Sequence, residues 1–142
     1  MDKKRLAEII AKGAHFGQTD KGGNPYIAHP MAVADLVETD DEKTLAYLHD
    51  VVEDTDVTLS DLKELGFSER IVEAVDAITK KADETRQEYL LRVKNNSLAR
   101  AVKLADLEHN SDLSRLSLRP LTDRDYARRE KYQKEIKFLK EE

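Results

Sequence analysis

The chain has 142 residues, enough for one domain with a real core and too few for two comfortable ones. Hydrophobic residues make up 39% and charged residues 37% with no long apolar run, which excludes a transmembrane span and fits a soluble protein rich in surface helix. A formal net charge of −5 argues against broad nucleic-acid binding, and zero cysteines exclude disulfides and thiolate metal ligands, as expected of a cytoplasmic protein.

Only 5 Gly and 3 Pro punctuate the sequence, and no strand-like alternation persists, so the reading is all-α. Leu6, Ile9, Ile10, Gly13 and Ala14 follow i, i+3, i+4, i+7, i+8 and predict a first amphipathic helix over roughly residues 2–17. Charges interrupt that segment, so no secretory signal is expected. Thr19 to Pro25 (TDKGGNP) is the strongest breaker and predicts a loop. A second helix begins near His29, with Pro30 in its first turn, and runs to about Glu38. Asp40 or Asp41 caps a third that extends to about Asp54. Thr58 or Ser60 caps a short helix ending at Gly66, and Ser68 opens another to about Lys80. Segments near Glu84–Lys94 and Ser97–Leu116 follow, and Thr122 or Asp123 opens the last. That final helix carries Tyr132, Ile136 and Leu139 on one face, for packing or for a second copy. No internal repeat occurs, and residues 1–142 read as a single domain.

Four metal-ligand residue types fall on lines that should bury hydrocarbon. In YLHDVVEDT, Leu45, Leu48 and Val52 mark a stripe, with His49 at i+4 from Leu45 and Asp50 beside it. In the Ser97–Leu116 segment, Ala99, Val102, Leu113 and Leu116 mark another, and Asp106 lies at i+4 from Val102. Its own helix offers it no charge at i±4, since Val102 and Asn110 are neutral. A buried carboxylate needs a partner or a metal. With His29 of YIAHPMAVA, these make a mixed nitrogen and oxygen set that suits Mn, Fe or Zn. Adjacent helical residues diverge by about 100°, so His49 and Asp50 reach one ion only if it sits between their directions. Glu53 and Asp54 lie one turn on from Asp50, and Glu53 there can serve as general base or acid on a water. Each residue also has a plainer reading: a capping His29, a hydrogen-bonded core His49, a solvated acidic face. His109 and Asn110 follow Asp106 on the same side, and His15 is as readily structural as ligand-facing. Lys21, between Asp20 and two glycines, offers a charge compatible with phosphate, though the Walker pattern is missing.

The segments HFGQTDKGGNPYIAHPMAVA, LAYLHDVVEDTDVT and AVKLADLEHNSDL resemble, in order and spacing, the HD-domain hydrolases of the Rel/SpoT alarmone group. They also resemble its small single-domain relatives, the metazoan SpoT homologues among them. The resemblance covers about residues 5–116 and implies a compact helical bundle with one divalent ion, commonly Mn²⁺. It implies metal ligands at His29, His49, Asp50 and Asp106, a catalytic acidic pair at Glu53 and Asp54, and ligand contacts at Lys21 and Asn110. The implied reaction removes the 3′-diphosphate of (p)ppGpp as pyrophosphate. Alternatives keep the chemistry on another nucleotide or NADPH, or make the chain a nucleotide-binding regulatory module without turnover; the acidic pair counts against the module. Two departures stand out. Asp20 replaces an arginine that packs on guanine in the family, which implies weaker guanine recognition and an added negative charge. Leu107 and Glu108 replace a basic and an apolar residue.

Overall fold

The computed structural model describes residues 2–20, 22–116 and 119–141, and among these the architecture is all-α. Helix α1 (Lys3–Ala14) starts where the Asp2 carboxylate accepts from Arg5 N at 2.8 Å. Its buried line is rotated from the predicted one: Ala7 and Ala11 are fully buried, whereas Ile9 is 42% exposed. Leu6, Ile10 and Ala14 pack along the edges. Helix α1 packs chiefly on α3, and small side chains on its buried line suit a close helix approach.

After the loop come α2 (Ala28–Leu36) and α3 (Asp40–Leu48). Thr39, rather than Asp40 or Asp41, caps α3, in a capping box with Glu42. The two aspartates occupy the first turn instead, where the helix dipole favours them. Lys43 reaches back to the carbonyls of Ala34 (2.8 Å) and Val37 (2.9 Å), closing the C-terminus of α2.

The helix predicted to run on to Asp54 breaks at His49–Asp50 and resumes as α4 (Val51–Asp54). Asp50 has φ −107° and ψ −3°, in the bridge region that turn and active-site residues occupy. The expected short helices follow: α5 (Leu59–Glu64) capped by Thr58 and ended by Gly66 at φ +89°, and α6 (Glu69–Ile78) capped by Ser68. Thr85 caps α7 (Arg86–Lys94) and Asn96 caps α8 (Ser97–Ser111). Helix α8 stops short of the predicted Leu116. Residues Leu113–Leu116 form a 3-10 turn, and their half-buried leucines leave the α8 stripe to line a cavity. Thr122 and Asp125 make the capping box of α9 (Asp123–Lys140).

Helix α8 is the spine, packed on by α2, α3, α6, α7 and α9. Leu45, Leu48, Val51, Val75, Val93 and Val102 are fully buried around it. The Tyr132–Ile136–Leu139 face of α9 packs inward, with Leu139 fully buried. A bidentate pair from Arg86 to Glu135, at 2.8 and 2.7 Å, ties α7 to α9.

Candidate active site

Three short segments meet against α8. His29 comes from the first turn of α2, His49 and Asp50 from the break between α3 and α4, and Asp106 from the middle of α8. His29 Nε2 lies 2.7 Å from Asp106 Oδ1 and 3.9 Å from Asp50 Oδ2. His49 Nε2 lies 3.1 Å from Asp50 Oδ2 and 3.3 Å from Asp106 Oδ1. The break solves the divergence problem of adjacent helical residues: by leaving helical geometry at Asp50, the chain turns both side chains to one point.

Donor atoms about 2.0–2.2 Å from a common ion stand roughly 3.0–3.5 Å apart, so these separations suit a shared cation. One donor of each of His29, His49 and Asp50 falls within 4.8 Å of the others. His49 Nε2 is also buried without a hydrogen-bond partner, while its Nδ1 donates to the Ala46 carbonyl at 2.6 Å. A nitrogen fixed in that way and left unsatisfied is a fit for a metal. His29 is braced likewise, its Nδ1 lying 2.7 Å from His109 Nδ1 with the two rings stacked.

The electrostatics point the same way. Burial alone lowers the pKa of His49, but Asp50 and Asp106 outweigh it and hold it well above the usual histidine range. Burial raises Asp50, yet the charges of His49 and His29 bring it down to about 2. Burial likewise works against Asp106, and Lys103 with both histidines keeps it well below the carboxylate range. Burial, then Arg115 and His29, push His109 down to about 4, so it is neutral near pH 7 and its Nδ1 can accept from His29. The carboxylates that favour positive charge at His49 also favour a cation between them.

Sequence reasoning left three partners unseen. Lys103 Nζ donates to Asp106 Oδ2 at 2.8 Å from i−3, a spacing that a search at i±4 passes over. Asn110, though neutral, donates to Asp106 Oδ1 at 3.2 Å. The Tyr26 hydroxyl donates to Asp50 Oδ2, and His15 packs behind the Tyr26 ring with 4.8 Å between centroids. His15 is therefore a backing residue here. Glu53 and Asp54 follow on α4 and reach solvent. Partial burial and the charge of Asp50 nevertheless raise both carboxyls above their ordinary range.

A cavity of about 350 Å³ opens beside His29, between the Thr19–Tyr26 loop, the end of α8 and α9. Tyr26, Asn110, Arg115, Arg128 and Tyr132 line it. Lys21 lies outside the described residues. Asp20 is no bare carboxylate: it accepts from the backbone N–H of Gly22 and Asn24, both at 2.9 Å, and pairs with Arg115 at 3.3 Å. The other departures miss the cavity, since Leu107 is fully buried in the core and Glu108 faces solvent.

The family model described as HD domain matches residues 7–111. The chain belongs to the HD-domain family. This HD domain is 36% identical over 122 residues to the bifunctional (p)ppGpp synthase/hydrolase SpoT of Escherichia coli strain K12, covering 75% of the chain and 17% of that protein. It is 45% identical over 80 residues to the guanosine-3′,5′-bis(diphosphate) 3′-pyrophosphohydrolase of Vibrio cholerae, covering 54% of the chain and 11% of that protein. The chain thus spans less than a fifth of these curated relatives. A solved metazoan ortholog of SpoT, described as hydrolysing ppGpp, shares the fold with a TM-score of 0.76 and 24% identity, over 99% of this chain and 86% of that one. No helix among the described residues is long and apolar enough to cross a membrane.

Proposed function

We propose that this HD domain is a metal-dependent phosphohydrolase that removes the 3′-diphosphate of (p)ppGpp as pyrophosphate. The observation that carries the reading is the convergence of four donor side chains, one of them with an orphaned buried nitrogen, beside a cavity of about 350 Å³. Its volume falls in the range of small-ligand sites, roughly 300–1,000 Å³. The names of the sequence relatives supply the substrate.

In this reading His29, His49, Asp50 and Asp106 hold one divalent ion, Mn²⁺ by family likeness. When bound, the ion supplies a Lewis acid that lowers the pKa of a water from about 15.7 toward about 7. Glu53, with its carboxyl raised above its ordinary value by partial burial and Asp50, takes the proton of the attacking water, and Asp54 passes one to the leaving group. Lys21 and Asn110 hold phosphate or ribose. Tyr26 fixes the orientation of Asp50, and Lys103 that of Asp106. The molecule so described is one domain, a motif-bearing core at about 5–116 with a final helix at about 122–141.

The absence of an arginine at position 20 favours keeping a second substrate, another nucleotide or NADPH, in the test. Mn²⁺-loaded protein incubated with ppGpp, GTP, NADPH and nucleoside monophosphates should release pyrophosphate from ppGpp fastest. Preference for another member moves the substrate, and no turnover on any member overturns the enzymatic reading.

A further inference from the structure

The guanidinium of Arg115 is held on its edges by three oxygens. It donates to Asn110 Oδ1 at 2.9 Å, to the His109 carbonyl at 3.3 Å and to Asp20 Oδ2 at 3.3 Å. The first of these contacts decides the orientation of an amide. Because Arg115 has only donors, the end of Asn110 that faces it must be the oxygen. The NH₂ end then faces Asp106 and donates to Oδ1, the oxygen that also faces both histidine Nε2 atoms. An unbroken chain of polar contacts therefore runs from Asp20 in the cavity loop, through Arg115 and Asn110, to Asp106 beside the histidines.

The loop itself is seated on Arg115. Asn24 Nδ2 donates to the Arg115 carbonyl at 3.4 Å, and a Cβ at Gly22 would come within 2.6 Å of the same oxygen. The Arg115 and Asp20 side chains are only 19% and 10% exposed, so water competes weakly for the pair.

We infer that Arg115 is a positioning residue for Asp106: acting through Asn110, it orients the carboxylate and reports the state of the Thr19–Pro25 loop to it. This rests on the metal-site reading above. An anionic ligand entering the cavity competes with Asp20 for the guanidinium, so its arrival is felt at Asp106 without touching it.

The test measures binding rather than turnover. Protein stripped with chelator is titrated with Mn²⁺ by calorimetry, for the wild type, Arg115→Met, Asn110→Ala and the double variant. Partners that orient metal ligands typically matter by about 10–100-fold in affinity, and a group one bond further out should matter by roughly 3- to 10-fold. Arg115→Met is expected to weaken Mn²⁺ by that smaller factor, and Asn110→Ala by at least as much. The double variant should be no worse than Asn110→Ala, because Arg115 acts only through the amide. Arg115→Lys should restore part of the loss, since an ammonium can still donate to Asn110 Oδ1. If Arg115→Met does not fold, Asp20→Asn cuts the chain at its outer end and should show the same non-additivity with Asn110→Ala. Unchanged affinity in Arg115→Met, or losses that simply add, would overturn the inference while leaving the metal site standing. Failure of the wild type to bind Mn²⁺ overturns both. Binding with no turnover on any nucleotide overturns only the enzymatic reading, and the cycle still decides the role of Arg115.

Discussion

Lys103 and Asn110 hold the Asp106 carboxylate from two sides, so truncating it does two things at once. Asp106→Ala removes a donor and also strands the ammonium of Lys103, 12% exposed, without its partner. Asp106→Asn keeps the shape and loses the charge, and is the cleaner probe. Metal analysis of Asp106→Asn should find most of the ion gone, whereas full occupancy at unchanged affinity would remove Asp106 from the site. Glu53 offers a kinetic test. Burial and Asp50 raise its carboxyl above the ordinary 4.5. A base works only when deprotonated, so kcat/KM should fall as pH drops through that raised value, above the usual carboxylate range. Glu53→Gln should lose about 10²- to 10⁴-fold in kcat with metal content intact. An unaltered kcat on the true substrate would shift the base to Asp54.

The break after α3 matters more to the site than the length of any helix. Local periodicity predicts one helix through residue 54, since Leu45, Leu48 and Val52 share a face. At the turn His49 Nδ1 donates to the Ala46 carbonyl and Tyr26 donates to the Asp50 carboxylate, contacts that periodicity does not show. At the other side of the molecule the pair joining α7 to α9 predicts an asymmetry. Arg86 is 33% exposed and Glu135 only 7%, so Arg86→Ala strands a buried carboxylate while Glu135→Ala leaves a guanidinium that can find water. Chemical denaturation should therefore show Arg86→Ala as the more damaging, by on the order of 1–3 kcal/mol against a smaller loss for Glu135→Ala. Arg86 also lies over the Tyr89 ring at 5.1 Å, which adds to the same difference. Equal losses would mean that solvent already screens the pair.

Taken as a whole, the bundle gathers two imidazoles and two carboxylates into one buried cluster that a divalent ion would hold together. Ligand binding to the folded state alone adds about 2.7 kcal/mol when the free ion is at one hundred times its dissociation constant. For a chain of this size that is a rise in Tm on the order of 10 °C. Thermal melts with saturating Mn²⁺ and with chelator should differ by that amount, and coincident melts would mean the cluster is satisfied without metal. Glu53→Gln should keep the difference, and Asp106→Asn should lose most of it.

The helical class and the ligand-type residues were legible in the sequence because both are local signals. Hydrophobic spacing, capping residues and the HD and HP dipeptides sit within a few residues of one another. Helix ends were legible less often: Thr58, Ser68 and Thr122 cap as expected, but Thr39 displaces Asp40 through a reciprocal bond with Glu42. Only the tertiary structure decided what those residues meet. Tyr26 carries no mark in the sequence of the carboxylate it holds, Lys103 carries only its i−3 spacing, and nothing local joins Asp20 to Arg115, 95 positions away. Asp20 shows the reason. Read alone it is an unwanted negative charge, but packing brings it a guanidinium from the 3-10 turn beyond α8, and a charge has meaning only with its partner.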